Sequence, residues 1–360
     1  MPSVFRFGRS LVMSVYVDDL TLSGVASEHE GFWKTLKQYI NLDPPSEYGR
    51  VLGRNHRLVW FQGSKAVALE SSDFAKQCVE LYEELAKTPV KAYSSPSWDD
   101  GALIPADDEI KGQLSPHSAK LIMKLMWLCR ISRPDVTFAV TLLAKHITVW
   151  SANDDKRVAR LIGYLQKTHE YSPIMCIRDP PEQLNLSLYC DADFGGDIKS
   201  MRSTSGFILA VSGPSSFAPV SWGSERQSVV ARSTTESEFV SLSSALFSEA
   251  IPTLEVWQAL IPGMTLKVFE DNTAVVSIIQ KGYSNKLRHL SKTHRINVAS
   301  TAETVNNADD ITVQHIETTQ QKGDVFTKGL PLSKWGNALE LLQFSLSPLP
   351  SFDAGRSSHD

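Results

Sequence analysis

Two hydrophobic periods alternate along this chain. Leu184, Leu186, Leu188 and Cys190 alternate with Asn185, Ser187, Tyr189 and Asp191, the two-residue period of a half-buried strand. That strand runs into Asp191 and Asp193 and then into Gly195-Gly196, a turn signal. Upstream, Met1 to Gly24 reads as a β-hairpin. Its apolar runs Val4–Phe7 and Leu11–Val17 flank a Gly8-Arg9-Ser10 turn, and Asp18-Asp19 lead into Leu20–Leu22. A helix is predicted over Glu28–Ile40, stopped by Pro44-Pro45, followed by strands at Val51–Leu52, Leu58–Phe61 and Ala66–Leu69. Phe74, Cys78, Leu81 and Leu85 mark one face of the next helix. From Val90 to Pro116 the pattern dissolves into Ser, Pro, Asp and Gly, a loop or linker.

Helical periodicity returns at Ser118. Leu121, Leu125 and Leu128, then Phe138, Leu142 and Leu143, then Val158, Leu161, Ile162 and Leu165 predict three helices, with Arg133-Pro134-Asp135 at the first turn. After Asp193 two more strands are expected at Ser205–Ser212 and Phe217–Trp222, then a long helix from about Thr234 to Ala259. A strand (Leu266–Glu270), a helix (Thr273–Gln280), a basic loop and helix (Lys286–Glu303), a strand (Ile311–Ile316) and a last helical stretch from Lys322 complete the order. Three antiparallel strands followed by helix, strand, helix, strand and helix define an α/β unit, although element order alone leaves many folds open.

Composition narrows the class. The chain has 360 residues, room for two ordinary domains, with 42% hydrophobic and 21% charged residues, as in soluble globular proteins. No apolar run approaches the ~20 residues of a membrane span, and no signal-peptide pattern opens the chain. The four cysteines lack metal-ligand spacing, which points to a reducing compartment. A net charge of −4 argues against a general nucleic-acid binder. Locally, however, Lys281 to Val298 carries Lys281, Lys286, Arg288, Lys292 and Arg295, with His289 and His294, and no acidic residue. Such a segment can hold phosphates, or be no more than a solvated face.

Carboxylates supply the candidate chemistry. Asp191 ends a buried strand, a costly position unless it binds something positive. At ~100° per residue, the apolar direction of Phe239, Leu242, Ala245 and Leu246 passes closer to Glu238 than to Glu236. Glu238 should therefore lean toward the sheet and Glu236 toward solvent. Asp271 ends the strand TLKVFED on the face of Phe269, and Asp324 opens the last helical stretch. Each alone has a plain structural account, as a turn residue or a helix N-terminal acid. His315, in the alternating strand ITVQHI, reads as structural.

Tyr16-Val17-Asp18-Asp19 on its hairpin resembles the YxDD motif of reverse transcriptases. Such a polymerase needs a further aspartate on an upstream strand, and few residues precede the hairpin. The resemblance therefore implies a vestigial polymerase motif (Tyr16, Asp18, Asp19) without fingers or most of the palm. The run SAKLIMKLMWLCRISRPDVTFAVTLLAKH, then KRVARLIGYLQKTHEY, is similar to the segment joining polymerase and ribonuclease H in copia-type LTR retrotransposon Pol polyproteins. YCDAD, RSTSGF, TTESEF, EDNTAV and KGDVFTK follow in that family's order, so the likeness runs from about Ser3 to about Phe344.

The resemblance implies a ribonuclease H-like C-terminal domain, a mixed five-stranded sheet with helices, preceded by an α+β partial palm, thumb and connection region. It divides the chain into 1–117 (palm hairpin, thumb-like region and linker), 118–180 (helical connection), 181–344 (ribonuclease H-like) and a disordered tail, 345–360. It carries the family's four metal-binding acids onto Asp191, Glu238, Asp271 and Asp324, with two Mg²⁺ or Mn²⁺ as cofactors. Asp191 would bridge both ions, Glu238 and Asp271 would complete one site, and Asp324 the second. Hard oxygen ligands suit these ions, and phosphodiester hydrolysis must stabilise both attacking and departing oxygens.

An RNA–DNA hybrid is the implied substrate. Ser203, Thr204 and Asn272 are candidates for contacts with 2′-hydroxyls, and Lys286, Arg288, Lys292, His294 and Arg295 for phosphates. Many family members have a Lys-His-Ile run where this chain has Lys292-Thr293-His294-Arg295-Ile296, which keeps the charge but changes the individual contacts. The implied partners are a polymerase half and other retrotransposon Pol products, in an intracellular setting, cytoplasmic within a virus-like particle or nuclear, with no membrane. The alternative is a non-catalytic retrotransposon relic that at most binds nucleic acid. An integrase is disfavoured, because no zinc-binding His/Cys module is present.

Overall fold

The computed structural model describes residues 3–8, 10–46, 49–98, 102–197 and 199–352. Arg9 of the expected first turn, residues 99–101 of the expected linker and 353–360 of the expected tail lie outside them, as do Met1 and Pro2. The chain opens with β1 (Val4–Phe7), β2 (Leu11–Tyr16) and β3 (Asp19–Gly24), an antiparallel three-stranded sheet. Tyr16 pairs with Asp19, so Val17 and Asp18 form a two-residue turn, with Val17 at φ 55°. That left-handed conformation matches hairpin twist but is costly for a β-branched residue. Helix α1 (Ala26–Leu36) ends four residues before the expected Ile40. It buries no residue, so nothing holds its final turn, and Tyr39 and Ile40 are exposed.

Next come β4 (Arg50–Val51), β5 (Arg54–Phe61), β6 (Ser64–Glu70) and α2 (Ser72–Ala86). Helices α3 (Ser118–Ile131), α4 (Thr137–Ala144) and α5 (Ala152–Lys167) follow, then β7 (Ser172–Met175). The C-terminal part contains β8 (Asn185–Asp193), β9 (Thr204–Ser212), β10 (Phe217–Arg226), α6 (Thr234–Ala245) and α7 (Ile251–Leu260). It continues with β11 (Leu266–Glu270), α8 (Thr273–Lys281), α9 (Leu290–Thr293), α10 (Val298–Asn306), β12 (Ile311–His315), α11 (Leu332–Leu341) and β13 (Phe344–Ser345).

The expected long helix is real but contains a π-turn at Leu246–Ala250, where Ile251 N–H donates to Leu246 O. Pro252 has no N–H for an α-helical bond, and the widened turn accommodates that loss. The expected basic loop and helix (Lys286–Glu303) is a short α9 followed by α10, separated by an irregular turn. Arg295 takes φ 57°, and Asn297 caps a new helix through its side chain.

Two five-stranded sheets organise the molecule. The mixed sheet has the order β10-β9-β8-β11-β12, antiparallel from β10 to β8, with β11 parallel to both β8 and β12. The other has the order β13-β7-β6-β5-β4. Strand β8 was expected to be half-buried, yet Asn185 to Ala192 are all buried. Leu186, Leu188 and Cys190 face the core under α6, while Tyr189 joins Ile208 and Phe217 in a core shared with α2 to α5 and α11. The expected disorder from Ser345 does not hold up to Phe352. Ser345 pairs with Ser172, Trp60 N–H donates to Pro350 O, and Phe352 N–H donates to Leu58 O. The outer edge of β7, and that of β5 beyond its short pairing with β4, provide these bonds, which composition does not reveal.

Candidate metal centre

Strands β8 and β11 run parallel, so their carboxyl ends deliver Asp191 and Asp271 to one place. The carboxyl edge of an open sheet is where α/β proteins bind ligands. Helix α6 crosses β8 and brings Glu238 alongside, fixed by Ser241 Oγ donating to Asp191 O at 2.7 Å. One carboxylate oxygen from each of Asp191, Glu238 and Asp271 lies within 4.8 Å of the other two. Oxygens around a cation with ~2.0–2.6 Å bonds lie up to ~4–5 Å apart, so the three are close enough for one ion to reach all of them. Glu238 Oε2 is buried without a hydrogen-bond partner, as a ligand atom awaiting a cation would be.

Asp324 arrives on the turn Lys322–Phe326, which is tied to β8. Gln321, itself buried, donates from Nε2 to Cys190 O at 2.8 Å and accepts from Gly323 N–H at 3.0 Å. A Cβ at Gly323 would come within 2.9 Å of Asp191 Cβ, so only glycine allows this approach. Thr327 Oγ1 donates to Asp191 Oδ2. Lys328 Nζ sits 2.7 Å from Asp324 Oδ1 and 3.6 Å from Asp191 Oδ2.

The electrostatics are those of crowded acids. Burial first, then the Asp191, Glu270 and Asp271 carboxylates, push Glu238 far above the usual carboxylate range. Burial and then Asp191 raise Asp324, with Lys328 opposing. Lys328 is itself held above the ordinary lysine value: burial works against its charge, but Asp191 and Asp324 outweigh it. These acids cannot all ionise cheaply without added positive charge, which is the chemical condition for binding divalent cations.

The other sequence candidates fall differently. Glu236, expected toward solvent, is buried: Oε1 lies 3.0 Å from His289 Nε2, and Oε2 accepts Arg232 N–H at 3.1 Å. The basic segment folds over this side of α6, with His289 and His294 against Glu236. Lys286, Arg288, Lys292 and Arg295 are exposed, whereas the His294 side chain is 2% exposed and near Glu236. Ser203 and Thr204 are buried. Ser203 Oγ accepts Gly195 N–H in the loop after β8, and Thr204 Oγ1 lies 3.4 Å from Lys145 Nζ at the end of α4, so both are engaged within the fold. Asn272 spends its Oδ1 capping α8, and Asp271 Oδ2 accepts Thr318 Oγ1–H at 2.8 Å. His315 is exposed at the end of β12, beside Glu270.

Tyr16, Asp18 and Asp19 are exposed on the hairpin. Among the described residues no third metal-ligating side chain joins them, the one such group of three being Asp191, Glu238 and Asp271. Glu270 was missed. It is fully buried, accepts Asn272 N–H at 3.0 Å, and is raised by burial and then by Asp271 and Asp191, with the Asn272 bond opposing. Its parity with Leu266 and Val268 along β11 was the available signal. Lys328, four residues after Asp324, was missed as well.

No family model matches the chain. It is 24% identical over 355 residues to the retrovirus-related Pol polyprotein from transposon TNT 1-94 of Nicotiana tabacum, covering 94% of this chain and 25% of that protein. It is 26% identical over 243 residues to the Pol polyprotein from transposon RE2 of Arabidopsis thaliana, covering 66% of this chain and 16% of that protein. It is also 34% identical over 121 residues to the secreted RxLR effector protein 161 of Plasmopara viticola, 34% of this chain and 80% of that protein. The chain thus spans a quarter or less of those two Pol polyproteins. No helix among the described residues is long and apolar enough to cross a membrane. Across both halves the chain is similar to copia-type retrotransposon Pol polyproteins and corresponds to part of their length.

Proposed function

We propose that residues 181–344 form a ribonuclease H-like unit that hydrolyses the RNA strand of RNA–DNA hybrids with Mg²⁺ or Mn²⁺. The observation that carries this reading is the convergence of Asp191, Glu238 and Asp271 at the carboxyl ends of two parallel strands. The donor set is all oxygen, which suits hard divalent ions better than zinc or copper. Bound cations would supply Lewis acidity toward the scissile phosphate and lower the pKa of the attacking water.

The protein's own groups do the positioning. Ser241 holds the β8 backbone at Asp191, Thr327 orients its carboxylate, and Thr318 orients Asp271. Asp324 would share a second cation with Asp191. The exposed Lys286, Arg288, Lys292 and Arg295 would take hybrid phosphates without reading sequence. The Asn272 side-chain amide, next to Asp271, suits a 2′-hydroxyl, the group that distinguishes RNA from DNA. Residues 1–117 and 118–180 would then be palm-and-thumb-like and connection-like supports, with other Pol products as partners. Templated DNA synthesis is not part of this reading, because Asp18 and Asp19 lack a third acid among the described residues.

The test is cleavage of a labelled RNA–DNA hybrid in Mg²⁺ or Mn²⁺ by the purified chain and by Asp191→Asn. The wild type should cut the RNA strand alone, and the variant should lose at least ~100-fold, the scale of removing one charge-stabilising group. If neither protein cuts, the chain is a non-catalytic relic; if both cut equally, the Asp191 centre is not what cuts.

A further inference from the structure

We infer that Lys328 is a built-in counter-ion standing where a second cation would bind, so that the acidic centre loads its ions in order. The first would enter at Asp191, Glu238 and Asp271. The second would enter between Asp191 and Asp324 only by displacing the lysine. This rests on the metal-centre reading proposed above.

Three observations carry it. The ammonium lies 2.7 Å from Asp324 Oδ1 and 3.6 Å from Asp191 Oδ2, so it already bridges the two carboxylates that would frame the second ion. The carboxylates are fixed and the lysine is not. The side chains of Asp191 and Asp324 are 4% and 13% exposed, whereas that of Lys328 is 41% exposed and can turn into solvent. Finally, among the described residues no Lys, Arg or His forms an ion pair with Glu238 or Asp271. A first cation therefore meets no cationic side chain on those two acids, while a second meets the lysine on both of its carboxylates. Without the lysine, Asp191 and Asp324 would also repel each other across the turn, which explains why a movable cation belongs there.

Mn²⁺ binding reads this directly, by calorimetric titration together with electron paramagnetic resonance counts of bound ion. The wild type should bind one ion and then a second at least tenfold more weakly. Lys328→Gln should tighten the second ion at least tenfold and the first far less. Lys328→Arg, which keeps the charge, should behave as wild type. Adding Asp324→Asn to Lys328→Gln should abolish the second event and keep the first. An unchanged second affinity in Lys328→Gln overturns the inference and leaves the metal centre standing. Absence of Mn²⁺ binding in every protein overturns the metal centre and the inference together. Matching thermal unfolding of Lys328→Gln and wild type shows that the variant is folded.

Discussion

At Gly206 an added methyl group would stand 2.6 Å from Thr327 Cγ2 and 2.7 Å from Phe326 Cβ. Gly206 is the residue paired with Asp191 across β8 and β9. The missing side chain is therefore what lets the turn bearing Asp324 lie over the acidic centre. Gly206→Ala should cost about 1–3 kcal/mol, the usual scale of overpacking a tight contact. It should also lower hybrid cleavage by more than the unfolded fraction explains, because the clash falls on the residue that orients Asp191. Urea unfolding and single-turnover cleavage of the same preparation check both parts. An alanine variant with wild-type stability and rate would show that the turn is not held by this contact. Neither Gly206 nor Gly323 carries any mark in the sequence that separates it from an ordinary turn glycine. The reason for each lies in a segment more than a hundred positions away.

Among the elements, helix α5 shows how local signals set a boundary. Its apolar stripe begins at Val158, yet the helix starts at Ala152, because Ser151 and Asp154 form a capping box with both reciprocal hydrogen bonds. Burial opposes ionisation of Asp154, but His146 and the Ser151 backbone N–H outweigh it and bring its pKa down to about 2. A depressed carboxylate contributes stability above its unfolded pKa and loses it as pH falls through the folded value. The contribution is full above about pH 5 and lost toward pH 2, amounting to about 2 kcal/mol at ~1.4 kcal/mol per unit. Asp154→Asn should therefore be less stable than wild type near neutrality, and the gap should narrow as pH falls from 5 to 2. A gap constant over that range would remove Asp154 from the acid limb.

Elements of this kind, with caps and continuous periodicity, were legible in the sequence, as was the order of the C-terminal strands and helices, whereas the meeting of Asp191, Glu238 and Asp271 was implied only by the resemblance of their motifs. What was not legible depended on long-range packing. The break at Arg295, the burial of Glu236 and the return of Leu349–Phe352 along β5 each arise from neighbours distant in the chain.

For the whole molecule, the C-terminal unit and the segment before it share one core. Tyr189, Ile208 and Phe217 from the mixed sheet, with Phe326 and Trp335, meet Ala75, Leu121, Leu125 and Tyr164 from α2, α3 and α5. Trp222 Nε1 donates to Cys129 O at 2.8 Å across the same junction. Strand β7 lies between β6 and β13, so chain from both sides of residue 180 completes the second sheet. Cutting at 181 would expose the faces of Tyr189, Phe217, Phe326 and Trp335. At ~1.5–3 kcal/mol for each large side chain, that loss is on the order of 6–12 kcal/mol, comparable with the ~5–15 kcal/mol that stabilises a whole domain. A separately expressed 181–345 fragment should therefore be aggregated or lack a cooperative thermal transition. Limited proteolysis of the full chain should yield no resistant fragment beginning between residues 176 and 184. A soluble fragment melting within a few degrees of the full chain would mean that the shared core contributes little. The acidic centre would then be held by the mixed sheet, α6 and the Lys322–Phe326 turn alone, and the α2 to α5 segment would be a support for the substrate rather than for the fold.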